Sequence, residues 1–254
     1  MTKIIKSVRE WKQISESEEL KGKKIGFVPT MGALHAGHES LIKRSVEENG
    51  ITVVSIFVNP AQFNDPKDFE NYPVTFDEDL QKIEKLNVDF LFYPSAQEIY
   101  ADNYSYRLEE NELSKILCGA FRPGHFSGVL TIVLKLFNII QPAQAYFGEK
   151  DYQQYKLIDG MVKALYLNIK IIPCPIIREE DGLAMSSRNL RLTVEERKFA
   201  SNFPWLLMSK KTTIEIKSEL EKLGFAVDYI EDYADRRFGA VHLGKVRLID
   251  NVEL

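Results

Sequence analysis

Cysteine is scarce in this 254-residue chain: Cys118 and Cys174 are the whole supply, far apart and each set in apolar sequence. A disulfide framework is therefore not expected, neither thiol has metal-ligand spacing, and the usage points to a reducing, cytoplasmic compartment. Long hydrophobic runs are missing too. No stretch reaches the roughly 18 uninterrupted apolar residues of a membrane span. The N-terminal MTKIIKSVREWKQISESEEL lacks the apolar core of a signal peptide and reads as a short strand followed by a charged helix. Nor is there an excess of positive charge. With a net charge of −4, no overall basic field exists to hold nucleic acid through its phosphates, although local basic groups can still hold a small anion. No internal repeat or low-complexity tract is visible. Histidine is rare, four in all, yet His35 and His38 stand three residues apart in FVPTMGALHAGHESL (27–41).

What is present is the composition of a globular chain, 44% apolar and 28% charged, long enough for one large domain or two unequal ones. Short apolar runs rich in β-branched and aromatic residues recur at 23–29, 51–60, 88–94, 143–148 and 169–177 and read as strands. Amphipathic segments near 38–49, 75–86, 127–141 and 151–166 separate them, and that alternation predicts a parallel α/β sheet. GVLTIVLKLFNIIQP (128–142) is apolar nearly all round, with Lys135 its single charge, as expected of a helix enclosed in the core. Beyond about residue 176 the texture turns polar and helix-rich and ends in a βα-like tail. The expected division is 1–176, carrying the sheet and its ligand loops, and 177–254, a small second domain.

In an open parallel sheet, ligands bind outside the carboxyl ends of the strands. Unusual polar chemistry follows four of the five predicted strands: PTMGALHAGH, NPAQFN, GEKDYQQY and REEDGLAMSSRN. Only YPSAQEIY, after the third, is nondescript. Four such loops along one edge converge on one crevice. In the first, Gly32 and Gly37 permit tight turns and close backbone approach. A helix starting near Gly37 aims its free amides and the positive end of its dipole at the crevice. His35 and His38 can donate there to phosphate oxygens, more strongly if protonated. Two alternatives stand beside that reading: metal ligation by the pair, for which no third ligand is suitably spaced, and a structural role in the turn. Lys150 is a point charge suited to phosphate, with Asp151 beside it. Ser186, Ser187 and Arg188 in MSSRN offer two hydroxyls and a guanidinium fork, or alternatively a helix cap. Gln62 is a neutral amide able to orient a polar small molecule, or a plain turn residue.

Together these residues resemble the pantoate–β-alanine ligase (pantothenate synthetase) family of the nucleotidylyl-transferase-like superfamily. The H-x-G-H element, His35-Ala36-Gly37-His38, by itself points only to the superfamily. FVPTMGALHAGH, VSIFVNPAQF, RPGHFSGV, YFGEKDYQQ, REEDGLAMSSRN and RLIDNVEL follow the family's order and approximate spacing and carry the narrower resemblance. It covers nearly all of residues 1–195 and resumes at the C-terminus.

The resemblance implies a Rossmann-like parallel sheet of nucleotidylyl-transferase type with a smaller C-terminal α+β lid domain, assembled as a homodimer. It implies ATP-dependent condensation of pantoate with β-alanine through pantoyl adenylate, releasing AMP and pyrophosphate. ATP is expected along Met31, Gly32, Ala33, Leu34, His35, Ala36, Gly37 and His38, with His38 as proton donor. Gly148, Glu149, Lys150 and Asp151, the backbone near Ile177, and Met185 to Arg188 complete the nucleotide site. Lys150 and Arg188 join the two histidines as catalytic groups. Gln62 and Gln154 hold pantoate, Gln62 also lying near β-alanine, and Asp79 matches a position proposed to help bind Mg²⁺. Two departures stand out: Val74 replaces the arginine that usually follows Tyr-Pro, and the C-terminal domain is shorter than usual.

Overall fold

The computed structural model describes residues 1–18 and 20–254. Strands β1 (Lys3–Ile5), β2 (Ile25–Thr30), β3 (Ile51–Ile56), β4 (Phe90–Phe92), β5 (Gln144–Gly148) and β6 (Lys170–Cys174) form one parallel sheet in the order β1-β4-β3-β2-β5-β6. All five strands expected from the apolar runs are present. The N-terminal strand joins them as an edge, with Ile4 opposite Leu91. Between the strands run α1 (Val8–Ser15), α2 (Ala36–Glu48), α3 (Pro66–Glu70), α4 (Phe76–Lys85), α5 (Ala96–Ile99), α6 (Cys118–Phe121), α7 (His125–Ile140) and α8 (Tyr152–Ala164).

Successive strand residues point to opposite faces, and the sheet is covered on both. Phe27, Val53, Phe90, Phe92 and Phe147 pack into a layer with Trp11 of α1, Leu130 and Leu136 of α7, and Ile158 of α8. Val28, Val54, Leu91 and Tyr146 face the other way, against Leu41 and Ile42 of α2 and Ile83 of α4. Every residue of β3 is buried, as a central strand of a two-sided sheet requires. The enclosed helix α7 answers its apolar composition, and its one charge is resolved locally: Lys135 donates to Asp102 (2.6 Å) and to the carbonyl of Ile99 (3.1 Å).

The C-terminal part differs from the βα-like tail expected. Helices α9 (Val194–Ala200), α10 (Asn202–Leu207) and α11 (Thr213–Lys222) are followed by β7 (Ala226–Tyr233), β8 (Arg236–Leu243) and β9 (Val246–Glu253), an antiparallel three-stranded sheet. The links are only residues 234–235 and 244–245, with Ala234 (φ 53°) and Gly244 (φ 56°) in the left-handed region. Such short links reverse the chain, whereas a parallel return needs a long crossover. Leu183, Phe203, Ile216, Leu220, Val241 and Leu248 form a separate apolar cluster there. No helix among the described residues is long and apolar enough to cross a membrane.

Candidate active site

Beyond β2 the backbone makes an unusual turn. Gly32 (φ 82°) and Ala33 (φ 49°) are both left-handed, a conformation that is strained for an alanine. Asp79 of α4 holds it in place: its two carboxylate oxygens accept from the amides of Ala33 (2.8 Å) and Leu34 (2.7 Å), and Thr75 Oγ1 adds a third bond at 3.2 Å. Asp79 is 1% exposed. Both oxygens thus accept from amides, a structural role that stands beside the Mg²⁺ contact expected from the resemblance. Among the described residues there is also no group of three His, Cys, Asp or Glu able to hold a metal, so the metal reading of the histidine pair finds no third ligand.

The turn delivers the chain into α2. His35 caps that helix, its Nδ1 accepting from the Gly37 amide at 3.1 Å, while Nδ1 of His38 faces the His35 amide at 3.4 Å. With both Nδ1 atoms accepting, a neutral ring carries its proton on Nε2. Neutrality follows from the surroundings. Desolvation, followed by the charge of Lys150, lowers the His35 pKa to about 4; desolvation, followed by the His35 ring, lowers that of His38 to about 3. The ring centroids are 4.1 Å apart, too close for two positive charges beside a lysine. The pair therefore offers neutral N–H donors near pH 7, without the boost that protonation would add.

These residues open onto a cleft of about 1170 Å³ at the carboxyl ends of the strands. Of the expected site residues, Met31, His35, Gly37, His38, Gln62, Gly148, Lys150, Asp151, Gln154, Ile177 and Met185 to Arg188 all line it. Others do not. Ala33 and Leu34 are buried in the anchored turn, Ala36 is exposed at the start of α2, and the Glu149 carboxylate turns toward Arg236, 3.5 Å away. Gly32 faces a small apolar hollow shared with Val74, whose side chain is 73% exposed.

Gln62 is held from both ends. Asn59 Nδ2 donates to Gln62 Oε1 (3.0 Å) and to the carbonyl of Gly128 (3.2 Å), and the Tyr100 hydroxyl fixes Asn59 by donating to its Oδ1 at 2.6 Å. A Cβ on Gly128 would stand 2.3 Å from the Ala61 carbonyl oxygen, so only glycine lets this turn rest on α7. The Gln62 backbone carbonyl accepts from His125 Nδ1 (2.8 Å) and Arg122 Nη2 (3.2 Å).

The family model for pantoate-beta-alanine ligase matches residues 3–253. The chain belongs to that family. It is 53% identical, over the full length of both chains, to the pantothenate synthetase of Bdellovibrio bacteriovorus. It is 54% identical over 227 residues to that of Legionella pneumophila, covering 89% of this chain and 90% of the relative. A pantoate-beta-alanine ligase from Francisella tularensis, complexed with beta-gamma ATP and beta-alanine, superposes with a TM-score of 0.96 at 45% identity, covering 100% of this chain and 98% of that one.

In this pantoate-beta-alanine ligase family member the RLIDN motif acquires a structural job that its residue types alone did not show. Asn251 Nδ2 donates to the carbonyls of Glu149 (2.9 Å) and Lys150 (3.1 Å), and Asp250 binds Arg178 through both oxygens (2.6 and 3.0 Å). The last strand therefore supports the turn that presents Lys150. Arg188 reaches Asp68 of α3 at 3.0 Å, and Arg191 meets the same carboxylate at 2.7 Å. Ser186 caps the turn by accepting from the Arg188 amide at 3.2 Å, so the helix-cap alternative holds for it alongside its place in the cleft. Asp68, Arg122 and His125 were not singled out from the sequence. RPGH was visible as part of a motif, but nothing in a separation of some sixty positions says that it returns to Gln62.

His125 gives a prediction of its own. It is 7% exposed, and desolvation, reinforced by the charge of Arg122, lowers its pKa to about 3. Unfolded, it takes up a proton near pH 6.5. Its full contribution to stability is thus present above about pH 6.5 and is lost progressively as the pH falls toward its folded value. His125→Asn, which keeps a donor for the Gln62 carbonyl, is expected to flatten the pH dependence of unfolding free energy between pH 6 and 4.5 by about one proton, or ~1.4 kcal/mol per pH unit. Urea melts across that range provide the check; an unchanged slope excludes a buried neutral His125.

Proposed function

We propose that the chain joins pantoate to β-alanine with ATP, through pantoyl adenylate, releasing AMP and pyrophosphate. The observation that carries this reading is a single cleft shared by two imidazoles, Lys150, Arg188 and the neutral amides of Gln62 and Gln154. Family membership and the Francisella tularensis relative's bound ligands support it.

In the first step a pantoate carboxylate oxygen bonds to the α-phosphorus while the bond to the bridging oxygen breaks and pyrophosphate leaves. The obstacle is repulsion between two anions. The N-terminus of α2, Lys150 and Arg188 offset it, and the Nε2–H groups of His35 and His38 donate to phosphate oxygens; each well-placed donor contributes ~3 kcal/mol, or roughly a hundredfold in rate. For Arg188 this requires exchanging Asp68 for phosphate. Gln62 and Gln154 bind pantoate through its hydroxyl and carboxyl oxygens without adding charge. In the second step the neutral amine of β-alanine bonds to the acyl carbon, the bond to AMP breaks, and the amine loses its proton. Residues 177–254 act as a lid that keeps water from the adenylate. Mg²⁺ enters with ATP as part of the substrate; among the described residues no three His, Cys, Asp or Glu gather to hold it. The homodimer and cytoplasmic location are carried over from resemblance and composition.

The test is AMP release with pantoate and β-alanine supplied together and then singly. AMP is expected in quantity only with both. Steady AMP production without the amine, or accumulation of a stable nucleotide conjugate as final product, contradicts the reading.

A further inference from the structure

Lys150 faces the cleft with little to fix its side chain. Its nearest opposite charge among the described residues is Asp151, at 3.9 Å, so the place of the ammonium is set by the turn Glu149–Asp151 that carries it. Asn251 holds that turn from behind through the carbonyls of Glu149 and Lys150. Asn251 is itself held by Arg236 of β8, whose Nη1 donates to Asn251 Oδ1 at 2.7 Å. A guanidinium only donates and a carbonyl only accepts, so the Asn251 amide has one orientation that satisfies both sides.

Arg236 grips the same turn by two further routes. Its guanidinium lies 4.1 Å from the ring centroid of Tyr152, the first residue of α8, within range of a cation–π attraction. Its Nη2 is 3.5 Å from the Glu149 carboxylate. Residues on both sides of Lys150 are thus tied to one side chain from the C-terminal sheet. Arg236 is 7% exposed and Asn251 1%, and neither lines the cleft.

Stability does not account for an arginine at this position. Its Nε is buried without a hydrogen-bond partner among the described residues, which is unfavourable. Its closest carboxylate, Glu253 at 2.7 Å, belongs to a side chain that is 76% exposed, where an ion pair contributes little. A buried charge so placed is often replaced without loss by an apolar side chain of like size. What the guanidinium adds is a pull on Asn251 Oδ1, which holds that side chain in one rotamer and strengthens its N–H donation. We propose that Arg236 is a positioning residue for the adenylation step: acting through Asn251, it sets the backbone of Glu149 and Lys150 and with it the place of the Lys150 ammonium against the phosphates. This role rests on the reaction proposed above, and it makes the C-terminal sheet more than a cover for the cleft.

Pantoate-dependent exchange of labelled pyrophosphate into ATP reads this step without any amine. Arg236→Met keeps the bulk and removes the pull on Asn251, and Arg236→Lys restores a charge and a donor without the fork. In Arg236→Met, kcat for exchange is expected to fall about 10- to 100-fold, the loss that a misplacement of about 1 Å can bring. KM for pantoate, which Gln62 and Gln154 hold from other positions, stays unchanged, and Arg236→Lys recovers part of kcat. The deciding measurement is a double substitution. In a Lys150→Ala background Arg236→Met is expected to slow exchange no further, since a residue that acts only through Lys150 then has nothing left to position. Asn251→Asp keeps an acceptor for Arg236 but removes both donors to the turn, and is expected to behave in the same way. It carries the test if Arg236→Met does not fold, with thermal melts placing every assay below the variant's transition. Normal exchange in the folded variants, or an equal loss with and without Lys150, overturns the proposal. Absence of exchange in the unsubstituted protein instead defeats the adenylation reading itself.

Discussion

Replacing His38 with alanine is expected to leave the fold intact and to slow pantoate-dependent pyrophosphate exchange by at least about a hundredfold. The structural loss is small. The ring accepts one long bond of 3.4 Å from the His35 amide, it lies in the wall of the cleft, and alanine suits the first turn of a helix. The catalytic loss is large because a neutral Nε2–H facing a phosphate oxygen needs no reorganisation when charge builds there. With its pKa lowered to about 3, His38 remains neutral throughout the working range. The unsubstituted enzyme is therefore expected to show no inflection from His38 near the ordinary imidazole value of about 6.5. Exchange assays from pH 5 to 8, with thermal melts of both proteins, decide the matter. Near-normal exchange in the variant removes His38 from the chemistry. An inflection near 6.5 that disappears with the substitution shows that the ring titrates and is not held neutral.

Asp79→Ala is expected to act through stability. Its removal leaves the amides of Ala33 and Leu34 buried without acceptors and releases the left-handed turn they secure. Unpaired buried donors of this kind cost about 1–3 kcal/mol each, so a loss of roughly 3–5 kcal/mol is expected. ATP affinity should fall with it, because the turn sets the start of α2. Denaturant melts and a Mg²⁺ titration at saturating ATP separate the two roles assigned to this residue. Wild-type stability with weakened Mg²⁺ dependence would identify it as a metal ligand instead.

Much of the fold was legible because its signals are local. The apolar runs at 51–60 and 143–148 became β3 and β5, and the nearly unbroken apolar helix at 128–142 became the enclosed α7. The N-terminal strand was legible as a strand, but not as the sheet edge, because its pairing with β4 depends on residues more than eighty positions away. In the tail, the link at 234–235 was not legible because Ala234 carries no sign of a turn residue, and Gly244 alone does not tell a tight reversal from a longer loop. The site was legible loop by loop, since each strand end carries its own chemistry. What escaped was the supporting layer: Asp68 on Arg188, Asn251 behind Lys150, and His125 beneath Gln62.

The sequence by itself determined the alternation of strands and helices up to about residue 176, the family, and which loops carry polar chemistry, because periodicity and motif spacing are written within short windows of chain. Tertiary structure alone decided that the two histidines are neutral, that Asp79 anchors a turn, and that Arg236 and Asn251 meet behind Lys150. Desolvation and charge–charge repulsion act through space, between residues whose separation along the chain says nothing of their distance.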